Sequence, residues 1–438
     1  MKYRLLPERF STLSYIGKWL LLAALVAALT GSASALFLFS LEWATQTRLS
    51  HAWLIWLLPL AGFAVGLAYW RLGREVEAGN NLLIDEIHDP QKTIPLRMAP
   101  LVLIGTVATH LCGGSAGREG TAVQMGGALA DQIHKLLPLR PEDRRILLMA
   151  GISAGFASVF GTPLAGTIFG LEVLAIGRLR YDAILPCLAA AILGDQMGLF
   201  WGVHHTHYRI PFIPAPSAWG LCAAVLAGIA FGLTGKLFAE AVHWLAGSLK
   251  RLIAFAPLRP LAGGAVVALA ATLMDAHAYL GLGIPTIVSA FQQPLPAYDF
   301  AGKLAFTVAT LGSGFKGGEV TPLFYIGATL GNALAPWLQL PFPLLAGMGF
   351  VAVFAGAANT PLASTVMAME LFGPEIGVYA GLACVVSYLC SGHSGIYRAQ
   401  RVGVAKRRGV PENIRLAEWP ALRRAASQKE NASNGSAS

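Results

Sequence analysis

Apolar stretches long enough to cross a bilayer recur along almost the whole chain, at residues 20–39, 52–70, 149–176, 183–201 and 350–372. A helix of about 20 residues spans a hydrocarbon core of about 30 Å. In lipid only helices and closed barrels satisfy their own backbone, and these runs lack the strict in–out alternation of barrel strands. Each run is therefore read as a crossing helix, and the chain as an all-α polytopic membrane protein. Composition agrees. Of 438 residues only 13% are charged, against about 25% in soluble domains, and the mean hydropathy is +0.58.

The first apolar run is too long, and too soon followed by another, for a cleaved signal peptide. Lys2, Arg4 and Arg9 precede it, and Arg398, Arg401, Lys406, Arg407 and Arg408 follow the last one. Positive charge stays cytoplasmic, so both termini are expected in the cytoplasm, with Arg71 and Arg74 on the same side. The net charge of +9 is concentrated in these segments, which speaks for lipid headgroups rather than nucleic acid as the partner. Cys112, Cys187, Cys222, Cys384 and Cys390 lie in apolar context and form neither a disulfide framework nor a metal-site spacing. His204, His205 and His207 lack Cys or acidic neighbours in sequence and read as a solvated loop. No metal or cofactor is expected.

Two halves of the chain match. Phe160-Gly161-Thr162-Pro163-Leu164-Ala165 parallels Ala358-Asn359-Thr360-Pro361-Leu362-Ala363, and Glu172 and Glu370 each lie nine residues beyond the proline. Upstream, Gly117-Arg118-Glu119-Gly120-Thr121 parallels Gly317-Gly318-Glu319-Val320-Thr321. The offsets are 198 residues for Pro163 to Pro361 and 200 for Glu119 to Glu319. A weaker third pair sets Gly79-Asn80-Asn81 against Gly281-Leu282-Gly283. A duplicated unit with glycine-interrupted helices at equivalent places points to a transporter with its site between the repeats; the relative direction of the repeats is not legible here. The expected division is a segment 1–12, a first repeat 13–210, a second repeat 211–397 and a basic tail 398–438. Residues 411–424 read as a short amphipathic surface helix, and 425–438 as disordered.

The sharpest motif is Ser115-Ala116-Gly117-Arg118-Glu119-Gly120-Thr121. Glycines around a carboxylate at a helix start leave backbone N–H groups free to hold an anion. Glu119 has two readings: it stabilises the helix dipole, or it fills the anion site as a tethered anion that leaves when protonated. Ionisable groups inside apolar segments are costly and usually functional, so the second is the expectation. Arg118 is expected to pair with a buried carboxylate or carbonyl.

These residues, with Gly161-Thr162-Pro163-Leu164-Ala165-Gly166, resemble the CLC family of chloride channels and proton antiporters over about residues 79–397. The resemblance implies a homodimer in which each subunit has its own pore and two inverted halves of broken helices, and it places the family's gating glutamate at Glu119. Departures are informative. The chloride-binding Gly-Ser-Gly-Ile-Pro loop reads Gly79-Asn80-Asn81-Leu82-Leu83 here, Gly-Arg-Glu-Gly-Pro ends in Thr121, and Gly-x-Phe-x-Pro becomes Gly318-Glu319-Val320-Thr321-Pro322. Tyr397 matches the inner-gate tyrosine. The pair that carries the internal proton relay reads Glu172-Val173, so the relay is missing.

This set resembles the fluoride-exporting bacterial branch, which implies a bacterial inner membrane. Fluoride is small, tightly hydrated and a strong acceptor, so amide and hydroxyl donors suit its dehydration. The resemblance thus implies an anion path lined by Asn80, Gly117, Gly120, Thr121, Val320, Thr321 and Tyr397, with Glu119 alternating between blocking it and carrying a proton. Asn80 alone would also serve as a turn residue. Glu319 is either a second functional carboxylate or a structural one tied to a helix end or to Lys316. Glu172 and Glu370 are expected to accept hydrogen bonds from broken-helix N–H groups. Inward protons would drive export with about 2.3 kcal/mol per charge per 100 mV. The rivals are a chloride/proton antiporter and an uncoupled halide channel. An intramembrane enzyme lacks the paired nucleophile and base it would need.

Overall fold

The computed structural model describes residues 8–137 and 139–425. Lys2, Arg4 and residues 426–438 lie outside them; of the stretch 425–438 expected to be disordered, only Ala425 is described, and it is helical. The first repeat runs through α1 (Glu8–Ser50), α2 (Leu58–Leu72), α3 (Asn80–His88), α4 (Met98–Leu111), α5 (Glu119–Leu136), α6 (Pro141–Phe160), α7 (Pro163–Glu172) and α8 (Ile184–Phe200). The second runs in the same order through α9 (Ala218–Leu252), α10 (Leu258–Leu273), α11 (Ile284–Ala290), α12 (Asp299–Gly312), α13 (Val320–Leu338), α14 (Phe342–Ala358), α15 (Pro361–Phe372) and α16 (Gly377–Cys390). After α16 the chain folds back, and β2 (Arg401–Val402) pairs in parallel with β1 (Ala175–Ile176). Among the described residues, four helical segments are long and apolar enough to cross a membrane alone.

Two apolar runs do not cross as single helices. Residues 149–176 break at Gly161 (φ 74°) into α6 and α7, and residues 350–372 break at Asn359 (φ 58°) into α14 and α15. Left-handed backbone followed by Thr-Pro ends one helix and starts the next. The expected surface helix at 411–424 is also shorter. Only residues from 419 onward are helical, while Asn413 and Leu416 bond back to Val402 and Gln400.

The repeats are antiparallel. Glu172, at the end of α7, accepts the N–H groups of Leu362 (3.1 Å) and Ala363 (2.8 Å) at the start of α15. Glu370, near the end of α15, accepts those of Leu164 (2.9 Å) and Ala165 (2.7 Å) at the start of α7. Each helix thus caps the other, which requires opposite directions. Gly117 and Gly318 exchange two backbone hydrogen bonds of 2.7 and 2.8 Å as an antiparallel bridge. One face of the molecule carries the starts of α1, α6 and α8, the end of α3 and the segment after α16, joined by Lys18–Asp143 (2.6 Å), by Tyr15 to the Asp182 carbonyl (3.3 Å), by Arg145 to the His88 carbonyl (3.3 Å) and by Arg401 to Asp89.

Glycine sets the closest helix contacts. A methyl group on Gly327 or Gly331 of α13 would collide with the carbonyls of Gly349 and Leu345 on α14, and one on Gly126 of α5 with that of Gly151 on α6. The contact recurs at matching places in both repeats, because bare backbone lets helices approach where lipid offers no hydrophobic drive. Gly327→Ala is expected to cost at least 1–3 kcal/mol, about the overpacking range, and to lower the thermal midpoint in detergent. Gly247→Ala, in open space on α9, should hold or raise that midpoint, since alanine is favoured in helices by about 1 kcal/mol.

Candidate functional site

The loops before α5 and α13 meet at the Gly117–Gly318 bridge, so both helices start at the centre of the molecule. Glu119, the first residue of α5, is fully buried. Its Oε2 accepts the Thr321 hydroxyl at 2.5 Å, the Thr321 N–H at 3.1 Å and the Arg118 N–H at 3.4 Å. Its Oε1 faces Arg118 Nε at 3.5 Å and accepts no hydrogen bond. The carboxyl therefore lies against the start of α13, the opposite repeat's helix, where helix-end N–H groups favour negative charge. Thr321 Oγ1 donates to Glu119 and accepts the Arg118 N–H at 3.3 Å. Arg118, expected to pair with a buried carboxylate or carbonyl, faces the buried carboxylate of its own neighbour, Glu119.

Around Gly120 the two loops converge. A methyl group there would stand 3.1 Å from Asn80 Nδ2, 3.2 Å from Gly318 Cα and 3.9 Å from Glu319 Oε2. The missing side chain is what admits the Asn80 amide and the second carboxylate to one place. Lys316 does not hold Glu319, because its Nζ stands 4.0 Å over the Tyr69 ring instead. Thr121, fully buried, has its hydroxyl engaged by Thr106 Oγ1 at 2.8 Å. Val320 opens α13 as a buried apolar residue.

Asn80, Val173 and Tyr397 come together in a small cavity, with Phe169 as its phenyl wall. About 10 Å³ is open there to the centre of a water-sized sphere, close to what one water needs. Asn80 Oδ1 is buried without a partner. Phe169 stacks on Phe156 with centroids 4.6 Å apart and meets Tyr397 edge-on at 6.4 Å. The sequence could not single out this phenyl among 21. α3, which carries Asn80, is fixed at its far end by Arg144, which donates to Asp131 at 2.7 Å and to Glu86 at 3.1 Å.

Sequence reasoning missed Gln400. Fully buried, it donates to the carbonyls of Val173 and Ala358, both at 2.8 Å, and accepts from Asn359 Nδ2 at 3.1 Å. Its signal was an amide three residues beyond Tyr397 at the edge of the apolar region. Asn81 Oδ1 likewise holds the Ala399 N–H at 2.9 Å. These bonds tie the Tyr397 segment to both repeats. The histidine loop is less solvated than expected. His205 packs over Gly161, and its Nε2 lies 3.3 Å from Asp195 Oδ1.

Residues 62–392 match the voltage-gated chloride channel family. The chain belongs to the CLC family. It is 64% identical over 434 residues to the chloride/fluoride channel protein of Pseudomonas syringae pv. tomato, covering 98% of this chain and 95% of that one. It is 30% identical to the H(+)/Cl(-) exchange transporter ClcA of Cronobacter sakazakii, over 80% and 81% of the two chains. Its fold superposes on the crystal structure of a CLC-type fluoride/proton antiporter with a TM-score of 0.85 and 35% identity, over 89% of this CLC chain and 98% of that one. A slow cyanobacterial Cl-/H+ antiporter shares the fold at a TM-score of 0.74 and 21% identity.

In this CLC chain Glu172 is a cross-repeat cap, and its truncation strands two N–H donors at a helix start, that of Ala363 buried and that of Leu362 part-buried. Glu172→Ala is expected to cost about 1–3 kcal/mol for each donor. Glu172→Gln, which keeps one acceptor, should lose roughly half as much. Thermal unfolding in detergent compares them, and equal midpoints for the two variants would refute the capping role.

Proposed function

We propose that this protein exports fluoride in exchange for protons, with Glu119 as the group that trades places with the anion. The observation that carries the reading is the Glu119 carboxylate in the grip of the Thr321 hydroxyl and N–H. A carboxylate held by those donors occupies the place a small anion would take. Protonation removes its charge, weakens both bonds and frees the donors for fluoride. Asn80 and Tyr397 line the next stage of the path, where an amide and a phenol offer donors to an ion that binds hydrogen-bond donors strongly. Thr121, Gly117, Gly120 and Val320 shape the wall between them, and Glu319 is the second proton-accepting group in place of the absent relay at Val173. The names of the 64%-identical relative and of the superposed antiporter support the choice of fluoride.

The same reading sets the protein in the bacterial inner membrane as a homodimer. The face that carries the ion-paired basic segments is cytoplasmic, and the repeats divide at 13–210 and 211–397. A second reading, an uncoupled halide channel, has one observation in its favour: the apolar Val173 stands in the cavity with Asn80 and Tyr397.

Liposomes loaded with fluoride distinguish these readings when fluoride release and proton uptake are recorded together. The wild type should move both ions in fixed ratio and prefer fluoride over chloride. Glu119→Gln should abolish proton movement. Coupling that survives the change unaltered would sink the gating role, and fluoride release without protons in the wild type would favour the channel.

Thr321 separates hydroxyl from backbone. A hydrogen bond to a charged group contributes about 1.5–3 kcal/mol. Thr321→Val is therefore expected to slow coupled export by about ten-fold or more, while Thr321→Ser stays near wild type. Identical rates for the two variants would remove the hydroxyl from the mechanism.

A further inference from the structure

A cavity of about 670 Å³ opens on the basic face, between α9, the segment after α16 and the final described helix. Its rim carries Lys236, Arg398, Arg407, Arg423 and Arg424, and its one carboxylate, Glu240, faces Lys236 at 3.9 Å. Among the described residues the four arginines have no carboxylate partner. Arg398 and Arg424 donate only to the carbonyls of Ala417 (3.4 Å) and Pro420 (3.2 Å).

A second observation comes from the cavity wall. His393 is 8% exposed. Its Nε2 accepts the Lys406 N–H at 3.1 Å, so its own proton is on Nδ1, and that buried nitrogen has no partner. Burial, reinforced by the Lys406 and Arg407 cations, pushes its pKa down to about 4. The ring is thus neutral near pH 7 and keeps its single N–H.

The volume is in the range of small-molecule sites. Guanidinium forks match oxyanions of several oxygens, above all phosphate, whereas a halide is too small to engage several of them. We propose that this cavity binds a phosphate-bearing anion, with Arg407 and Arg423 holding the charge and the neutral His393 ring forming part of the wall. Ser394 and Gly395 are part of that wall, and their carbonyls accept from Asn359 (3.1 Å) and His243 (3.0 Å). A bound anion would brace the backbone two residues before Tyr397 from outside. The phosphate has two sources, a lipid headgroup or a soluble compound.

The test uses the purified full-length protein in neutral detergent, and its readout is the thermal midpoint. Sodium pyrophosphate is titrated as the soluble probe, and dioleoyl phosphatidic acid in mixed micelles as the headgroup probe. Sodium chloride at matched ionic strength controls for screening. The wild type should respond saturably to at least one probe, and the Arg407→Gln/Arg423→Gln variant should need at least ten-fold more of it. Response to pyrophosphate assigns a soluble ligand, response to phosphatidic acid alone a headgroup. No response, a response that sodium chloride reproduces, or equal affinity in the variant would overturn the proposal. Both arginines lie on the rim, so the variant should fold; a wild-type midpoint without probe verifies this. The readout involves no transport and stands apart from the fluoride reading.

Discussion

Backbone N–H groups at the start of a helix need an acceptor, and inside a bilayer water does not supply one. This protein breaks its helices inside continuous apolar runs and meets the need with carboxylates from the opposite repeat. Glu172 and Glu370 each spread both oxygens over two adjacent N–H groups. Glu119 uses the same chemistry differently. Its hydrogen bonds converge on Oε2, and Oε1 is left with an ion-pair contact alone. The first two are staples, and the third is, on the proposed reading, the one that is released. One local rule therefore supplies both the joint between the halves and the group the proposed exchange depends on.

That joint also explains the glycine-rich packing. Antiparallel repeats with interlocked helix starts bring α5 against α6 and α13 against α14, at distances only bare backbone allows. Close packing then leaves little empty space at the centre, and the cavity between Asn80 and Tyr397 is near the size of one water. On the proposed reading this cavity is part of the ion's passage, and one so narrow favours an ion that has shed its water and accepts hydrogen bonds strongly.

Much of this was legible in the chain. The matched Thr-Pro-Leu-Ala stretches at 162 and 360, and the glutamates nine residues beyond each proline, gave the duplication and the two caps, because a helix start and its acceptor both need particular residue types. Direction was not legible. Apolar composition is the same read along a helix either way, so the inversion that the family resemblance implied is seen directly only in the structure, in the reciprocal bonds of Glu172 and Glu370 and the antiparallel Gly117–Gly318 bridge. The breaks at Gly161 and Asn359 were hidden inside continuous apolar runs, since hydropathy records burial in lipid and not the φ angle of one residue. Gln400 escaped because its value lies in partners from two places distant from it in sequence, Val173 and the pair Ala358 and Asn359. The arginine-rimmed cavity escaped because basic residues near a membrane face are expected whether or not they surround a pocket.

Duplication would by itself make two equal sites, yet only one carboxylate is clamped. Thr121 and Thr321 hold equivalent places, two residues beyond Glu119 and Glu319. The Thr321 hydroxyl reaches across to Glu119, while the Thr121 hydroxyl turns to Thr106 on α4. Glu319 is thereby denied the threonine grip that holds its twin. On the proposed reading this inequality has a use: the clamped glutamate competes with the anion, and the unclamped one takes the proton on its way. The exchange would then rest on where two identical hydroxyls point, a difference that a symmetric pair of loops cannot supply and that a neighbouring helix does.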